Sequence, residues 1–95
     1  MADPENIRFS DHARQRCVER WIDQSDVVRI VQNPMNVIYD VKRDNFKCYG
    51  LAVDAYTREQ KYLIVVYRKF NTYDLIITAM WTTAGSLTAY GFSKI

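Results

Sequence analysis

The stretch from Ser10 to Pro34, SDHARQRCVERWIDQSDVVRIVQNP, decides the fold. Ala13, Cys17 and Trp21 recur at i, i+4 and i+8, the spacing of one face of an α-helix, and Val18 widens that stripe. Ser10 stands where a helix needs an N-cap acceptor, and Asp11 follows where the helix dipole favours negative charge. The spacing predicts a first helix over residues 11–21. A second follows at once over residues 24–32, with Asp23 as N-cap. Ile22 and Val27 sit at the two positions of a hydrophobic staple, and Val27, Ile30 and Val31 form the buried side. Asn33-Pro34 ends it, because a residue before proline is pushed out of the α region.

Downstream of Pro34 the period changes. Met35, Val37, Tyr39 and Val41 alternate with other residues, and Arg43-Asp44-Asn45 makes a turn. Residues 46–56 read as a second strand, with Gly50 a bulge or a point of close approach. The β-branched and aromatic run over residues 62–70 is apolar on both faces and belongs at the sheet centre. Residues 75–82 form a fourth strand, and residues 87–95 a short last strand or an ordered tail. Connections this short make neighbouring strands antiparallel. The expected class is therefore α+β: two N-terminal helices packed on one face of a four- to five-stranded antiparallel sheet. The other face is then left to solvent or to a partner.

At 95 residues the chain makes one domain, 1–95, with residues 1–6 too polar and unsupported to be fixed. A hydrophobic fraction of 48% and a charged fraction of 25% are those of an ordinary globular domain. Net charge is only +2, too little to coat nucleic acid by bulk charge, so any anion must be held by a local excess. No apolar run approaches the ~20 residues of a membrane-spanning helix, and the acidic start lacks a secretory h-region, so a cytoplasmic protein without membrane contact is expected. Cys17 and Cys48 are far apart and read as reduced core thiols. With one His and two dispersed Cys there is no zinc-ligand spacing, and no metal or other cofactor is expected.

The local excess lies on the first helix. His12, Arg16 and Arg20 are spaced i, i+4, i+8 and share a face that drifts only about 40° per step. Two guanidinium forks hold a phosphate well, and an imidazole near a helix N-terminus, where the dipole favours its neutral form, can accept a proton. The same residues have a purely structural reading: Arg16 pairing with Glu19, Arg20 with Asp23, and an arginine head capping loop carbonyls. Arg14, Arg68 and Lys69 are further basic candidates for nucleic-acid contact. Seven tyrosines fall mainly on strands, where they pack the sheet or stack bases. Tyr90 and Lys94, four residues apart on the tail, are candidates to complete a site begun by the first helix.

The pattern H-A-x-x-R-x-x-x-R from His12 to Arg20, followed by an acidic cap, a short helix and Asn33-Pro34, resembles a family of small prokaryotic proteins known as a domain of unknown function. That family is distantly similar to the BrnT and RelE/ParE-type toxins of toxin–antitoxin pairs. Residues 62–68 resemble its central strand and residues 76–81 the next. The resemblance implies a RelE-like fold and a toxin-like RNA-binding protein. It also implies a metal-independent endoribonuclease in which the RNA 2′-OH attacks the adjacent phosphate, with a cognate antitoxin protein as partner. His12, Arg16 and Arg20 match the motif; Tyr90 and Lys94 are placed only by analogy with C-terminal functional residues of such toxins. A weaker net positive charge than most ribosome-dependent toxins carry is the departure from that pattern. The competing expectation is a non-enzymatic interaction module that binds a small protein or forms a homodimer through its open sheet.

Overall fold

The computed structural model describes residues 6–92 of the chain. Its elements are β1 (Ile7–Phe9), α1 (Asp11–Glu19), α2 (Gln24–Gln32), β2 (Asn36–Asp40), β3 (Asn45–Val53), β4 (Gln60–Lys69), β5 (Asp74–Thr82) and a 3-10 helix (Ala84–Tyr90). The five strands form one sheet in the order β1-β5-β4-β3-β2.

The helices begin where their caps dictate. Ser10 accepts from the Ala13 N–H at 3.0 Å, and Asp23 from the Ser25 N–H at 2.9 Å. Both helices pack on one sheet face. Ala13 and Cys17 of α1 and Val27, Ile30 and Val31 of α2 join Cys48, Ala52, Leu63, Val65, Ile76 and Ala79 in a single cluster. Each large side chain withdrawn there contributes about 1.5–3 kcal/mol of transfer free energy. Gly50 marks a close approach: a Cβ there would meet Ile30 Cγ1 at 2.9 Å, so α2 sits directly on the β3 backbone.

Three expectations are corrected. The sheet is mixed, because β1 pairs with β5 in parallel, Ile7 opposite Asp74 and Phe9 opposite Ile76. Short turns fix direction only from β2 to β5; β1 reaches β5 through the rest of the chain, so no turn constrains it. Of the two readings of the C-terminal segment, the last strand fails and the ordered tail stands, as a 3-10 helix up to Tyr90; the fifth strand comes from the N-terminus instead. Nor is the second sheet face open. Leu87 and Phe92 are buried there with Tyr49, Ile64 and Val66, and Tyr90 packs against the same cluster.

β5 breaks the two-residue period. Val66 is opposite Thr78 but Tyr67 is opposite Ile76, so Ile77 is an extra residue, a bulge. The shift brings Ile76 and Ala79, three apart, onto the same helix-facing side, both fully buried. Strict alternation would have put one of them on the other face. No helix among the described residues is long and apolar enough to cross a membrane.

Candidate nucleic-acid interface on the first helix

Ala13 and Cys17 anchor α1 to the sheet and turn its other side chains outward. His12 is exposed, and no hydrogen bond or ion pair engages it among the described residues. Arg14 pairs with Asp11 at 3.1 Å. Arg16 pairs with Glu19 at 2.6 Å, and Gln15 adds a second donor to Glu19 at 3.2 Å. The Arg16 guanidinium holds the Glu19 carboxyl below the usual carboxylate range. Ion pairs this exposed are weak, so neither fixes its arginine firmly.

Arg20 behaves differently. Its Nη1 donates to the Ala79 carbonyl of β5 at 2.7 Å, and Trp81 Nε1 donates back to the Arg20 carbonyl at 2.7 Å. β1 pairs with β5 only as far as Ile76, so the Ala79 carbonyl lies beyond the end of β1. Arg20 fills that vacancy and clamps the end of α1 to β5. It pairs with this strand carbonyl and not with Asp23.

The other candidates disperse. Arg68 donates to the Asp44 and Arg43 carbonyls, both at 3.0 Å, and ties β4 to the β2–β3 turn. Lys69 Nζ lies 5.2 Å from the centre of the Phe46 ring. Tyr90 sits on the sheet face opposite α1, and its carbonyl accepts from Lys47 Nζ of β3 at 3.3 Å. The structure therefore does not bring Tyr90 to the α1 face. Lys94 lies outside the described residues. No cluster of three or more His, Cys, Asp or Glu able to hold a metal occurs among the described residues. Cys17 and Cys48 are free and buried, and burial pushes the Cys48 thiol up to about 12.

Trp21 was expected on the buried stripe, but α1 ends at Glu19 and its closing turn turns Trp21 outward. The Ile22 N–H donates to the Cys17 carbonyl at 2.9 Å and the Trp21 N–H to the Val18 carbonyl at 3.5 Å. Those two bonds are a Schellman motif with Trp21 at the left-handed position, φ 58°, where glycine is usual. Ile22 takes the buried place and Trp21 is 54% exposed. The missed signal was the Cys17…Ile22 spacing, the apolar pair that accompanies this motif.

Trp21 packs on Tyr56 of the β3–β4 turn, with ring centres 5.2 Å apart; Tyr56 is itself 71% exposed. That turn is built to hold them. Asp54 accepts from the Tyr56 and Thr57 N–H groups at 2.8 and 3.3 Å and from Lys61 Nζ at 2.8 Å. The Ala55 N–H donates to the Trp21 carbonyl at 3.2 Å. One end of α1 thus carries an imidazole with no partner among the described residues and the other an exposed pair of rings, with Arg14 and Arg16 between.

Residues 9–81 match the family described as a domain of unknown function, DUF4258. The chain belongs to the DUF4258 family. The match runs from the last residue of β1 to Trp81 of β5. It takes in α1, Trp21, Tyr56 and the basic candidates Arg68 and Lys69, and leaves out the 3-10 helix with Tyr90. Nothing matches the chain among curated proteins or among solved structures.

Proposed function

We propose that this DUF4258 protein is a toxin-like, RNA-binding protein of the kind its resemblance to BrnT and RelE/ParE-type toxins implies, and that it engages single-stranded RNA along α1. The observation that carries this reading is the exposed Trp21–Tyr56 pair at the end of a helix that carries Arg14 and Arg16, each held only by an exposed ion pair. Stacking rings beside displaceable cations are what sequence-tolerant single-strand binding uses. From His12 to Glu19, where α1 ends, the helix axis advances about 10 Å. That spans roughly three stacked nucleotides at ~3.4 Å each.

His12 is the candidate general base for metal-independent cleavage. It takes the proton of a 2′-OH as that oxygen attacks the adjacent phosphorus. The 5′-oxygen leaves with a proton from water, giving a cyclic 2′,3′-phosphate and a free 5′-OH. Arg16 holds the phosphate in this scheme, while Arg20 holds the helix that carries both.

The test is binding of a fluorescent single-stranded RNA by anisotropy over a salt series. Arg14→Ala and Arg16→Ala should each flatten the salt dependence by about one phosphate contact. Trp21→Gly should weaken binding while the fold is kept. His12→Ala should abolish cleavage, and with it any growth arrest on induced expression, without weakening binding. RNA binding that is absent at low salt, or unaltered by Trp21→Gly and Arg16→Ala, overturns the reading in favour of a protein-interaction module.

A further inference from the structure

The sheet has closed most of its free edge. β1 is only three residues long, and Arg8 lies over the Tyr73 ring at 4.3 Å. Beyond β1, Arg20 takes the Ala79 carbonyl; beyond β2, Arg29 of α2 takes the Leu51 carbonyl of β3 at 2.8 Å. β2, five residues against three in β1, is the longer of the two edge strands, and no arginine caps it among the described residues. It pairs with β3 on one side alone and contains no Lys, Pro or bulge, the devices that blunt exposed edges. Its side chains agree: Val37 and Tyr39, on the helix-facing side opposite Cys48 and Phe46, are 43% and 48% exposed.

We propose that β2 pairs with β2 of a second copy of this chain, antiparallel and centred on Ile38, joining two sheets into one of ten strands. The occupant follows from the self-complementarity of the segment. An antiparallel two-fold at Ile38 sets Val37 against the mate's Tyr39, Asn36 against the mate's Asp40 and Ile38 against itself. Apolar residues meet apolar ones, and the carboxylate meets an amide rather than a second carboxylate. The same register carries Met35, 52% exposed, towards Val41 of the mate, 78% exposed. Backbone polarity fits as well. The Val37 N–H donates to Asn36 Oδ1 at 2.8 Å. In the proposed pairing that N–H turns to the free edge, and alternation along the strand brings the N–H and C=O of Val37 and Tyr39 there together. These are the two residues that the two-fold sets opposite each other, so Val37 and Tyr39 exchange ladder bonds across it. Each Asn36 amide, released from its own backbone, faces Asp40 of the mate. A partner strand of unrelated sequence would need to match this order by chance, whereas a second copy matches it by symmetry.

Light scattering or sedimentation of the whole chain over rising concentration should give twice the 11.2 kDa chain mass. Val37→Lys with Tyr39→Lys, and Val37→Glu with Tyr39→Glu, put like charges opposite one another. Each double variant alone should run at the single-chain mass, and an equimolar mixture should return to the double mass. In the unaltered protein, exchange of the Val37 and Tyr39 amides should slow as concentration rises, a readout that needs no variant. A wild-type mass that stays at one chain with concentration-independent exchange overturns the proposal. So does a folded double variant that remains at the double mass, or a mixture of folded variants that never recombines.

Discussion

Trp21 offers the sharpest test of how α1 is closed. A bulky side chain at φ 58° is strained, because Cβ crowds the following carbonyl; for an L-residue this costs roughly 1–2 kcal/mol. Two substitutions separate that strain from the ring. Trp21→Ala removes the contact with Tyr56, whose ring centre is 5.2 Å away, but keeps Cβ in the left-handed region. Trp21→Gly removes both. Each loses the same aromatic pair, worth about 0.5–1.5 kcal/mol beyond area burial. Their difference is therefore the relief of strain, less the greater freedom glycine gives the unfolded chain, about 0.4–1 kcal/mol. The glycine variant should be the more stable of the two by roughly 0.5–1 kcal/mol. In a domain this small that is a melting point higher by about 2–8 °C. Urea unfolding followed by circular dichroism and by the remaining tryptophan, Trp81, measures it. Trp81 is a local reporter because its Nε1 donates to the Arg20 carbonyl in the adjoining turn. An alanine variant as stable as the glycine variant, or more so, would refute the Schellman closure and with it the outward placement of Trp21.

Gly50→Ala should cost about 1–3 kcal/mol in the same assay, since the new Cβ meets fully buried Ile30 at 2.9 Å. Arg20→Ala should cost about 1.5–3 kcal/mol, because it strips a charged donor from the Ala79 carbonyl. Arg16→Ala, losing an exposed ion pair, should stay within about 1 kcal/mol of wild type. The Lys61 hydrogen bond, then the Tyr56 and Thr57 amides, hold the Asp54 carboxyl below the usual aspartate range. A depressed folded pKa gives stability that is present above the unfolded value, near pH ~4, and is lost as pH falls through the folded one. Asp54→Asn should therefore flatten the acid end of the stability profile in pH-dependent urea titrations. In the folded protein neither thiol should react with iodoacetamide at neutral pH, burial having raised both, while in denaturant Cys17 and Cys48 should both be alkylated; mass spectrometry reads the count.

Most of the scaffold was legible because local rules govern it. Ser10, Asp23 and Asn33-Pro34 place the start of α1 and both ends of α2, and short turns make β2 to β5 a meander. What escaped depends on contacts distant in sequence. Three residues at Ile7–Phe9 have no period to read, and only the free edge of β5 recruits them as a parallel strand. The bulge at Ile77 is invisible to a two-residue alternation that it interrupts. The tail reads as either a short strand or an ordered tail, and composition alone does not choose: Leu87 and Phe92 are buried by lying across the second sheet face rather than in it.

The motif on α1 shows why spacing alone stops short of function. His12, Arg16 and Arg20 share a helix face, and i, i+4, i+8 fixes that much. It does not fix what each side chain meets, because α1 descends from an exposed first turn to an end docked on β5. At the docked end the Ala79 carbonyl beyond β1 is a stronger claimant for a guanidinium than solvent is, and Arg20 takes it. Midway, Arg16 meets Glu19 in an exposed ion pair, a weak tie. At the exposed end His12 meets nothing among the described residues. One helical face thus grades from a structural clamp to an unengaged imidazole. The residue that best extends its reach, Trp21, lies one step past the helix, where no periodicity reads. Should Arg20→Ala and His12→Ala have the same effect on folding and on RNA, that gradation is wrong and the motif is structural throughout. Should Arg20→Ala cost stability while His12→Ala costs only RNA cleavage, the two ends of the motif do different work.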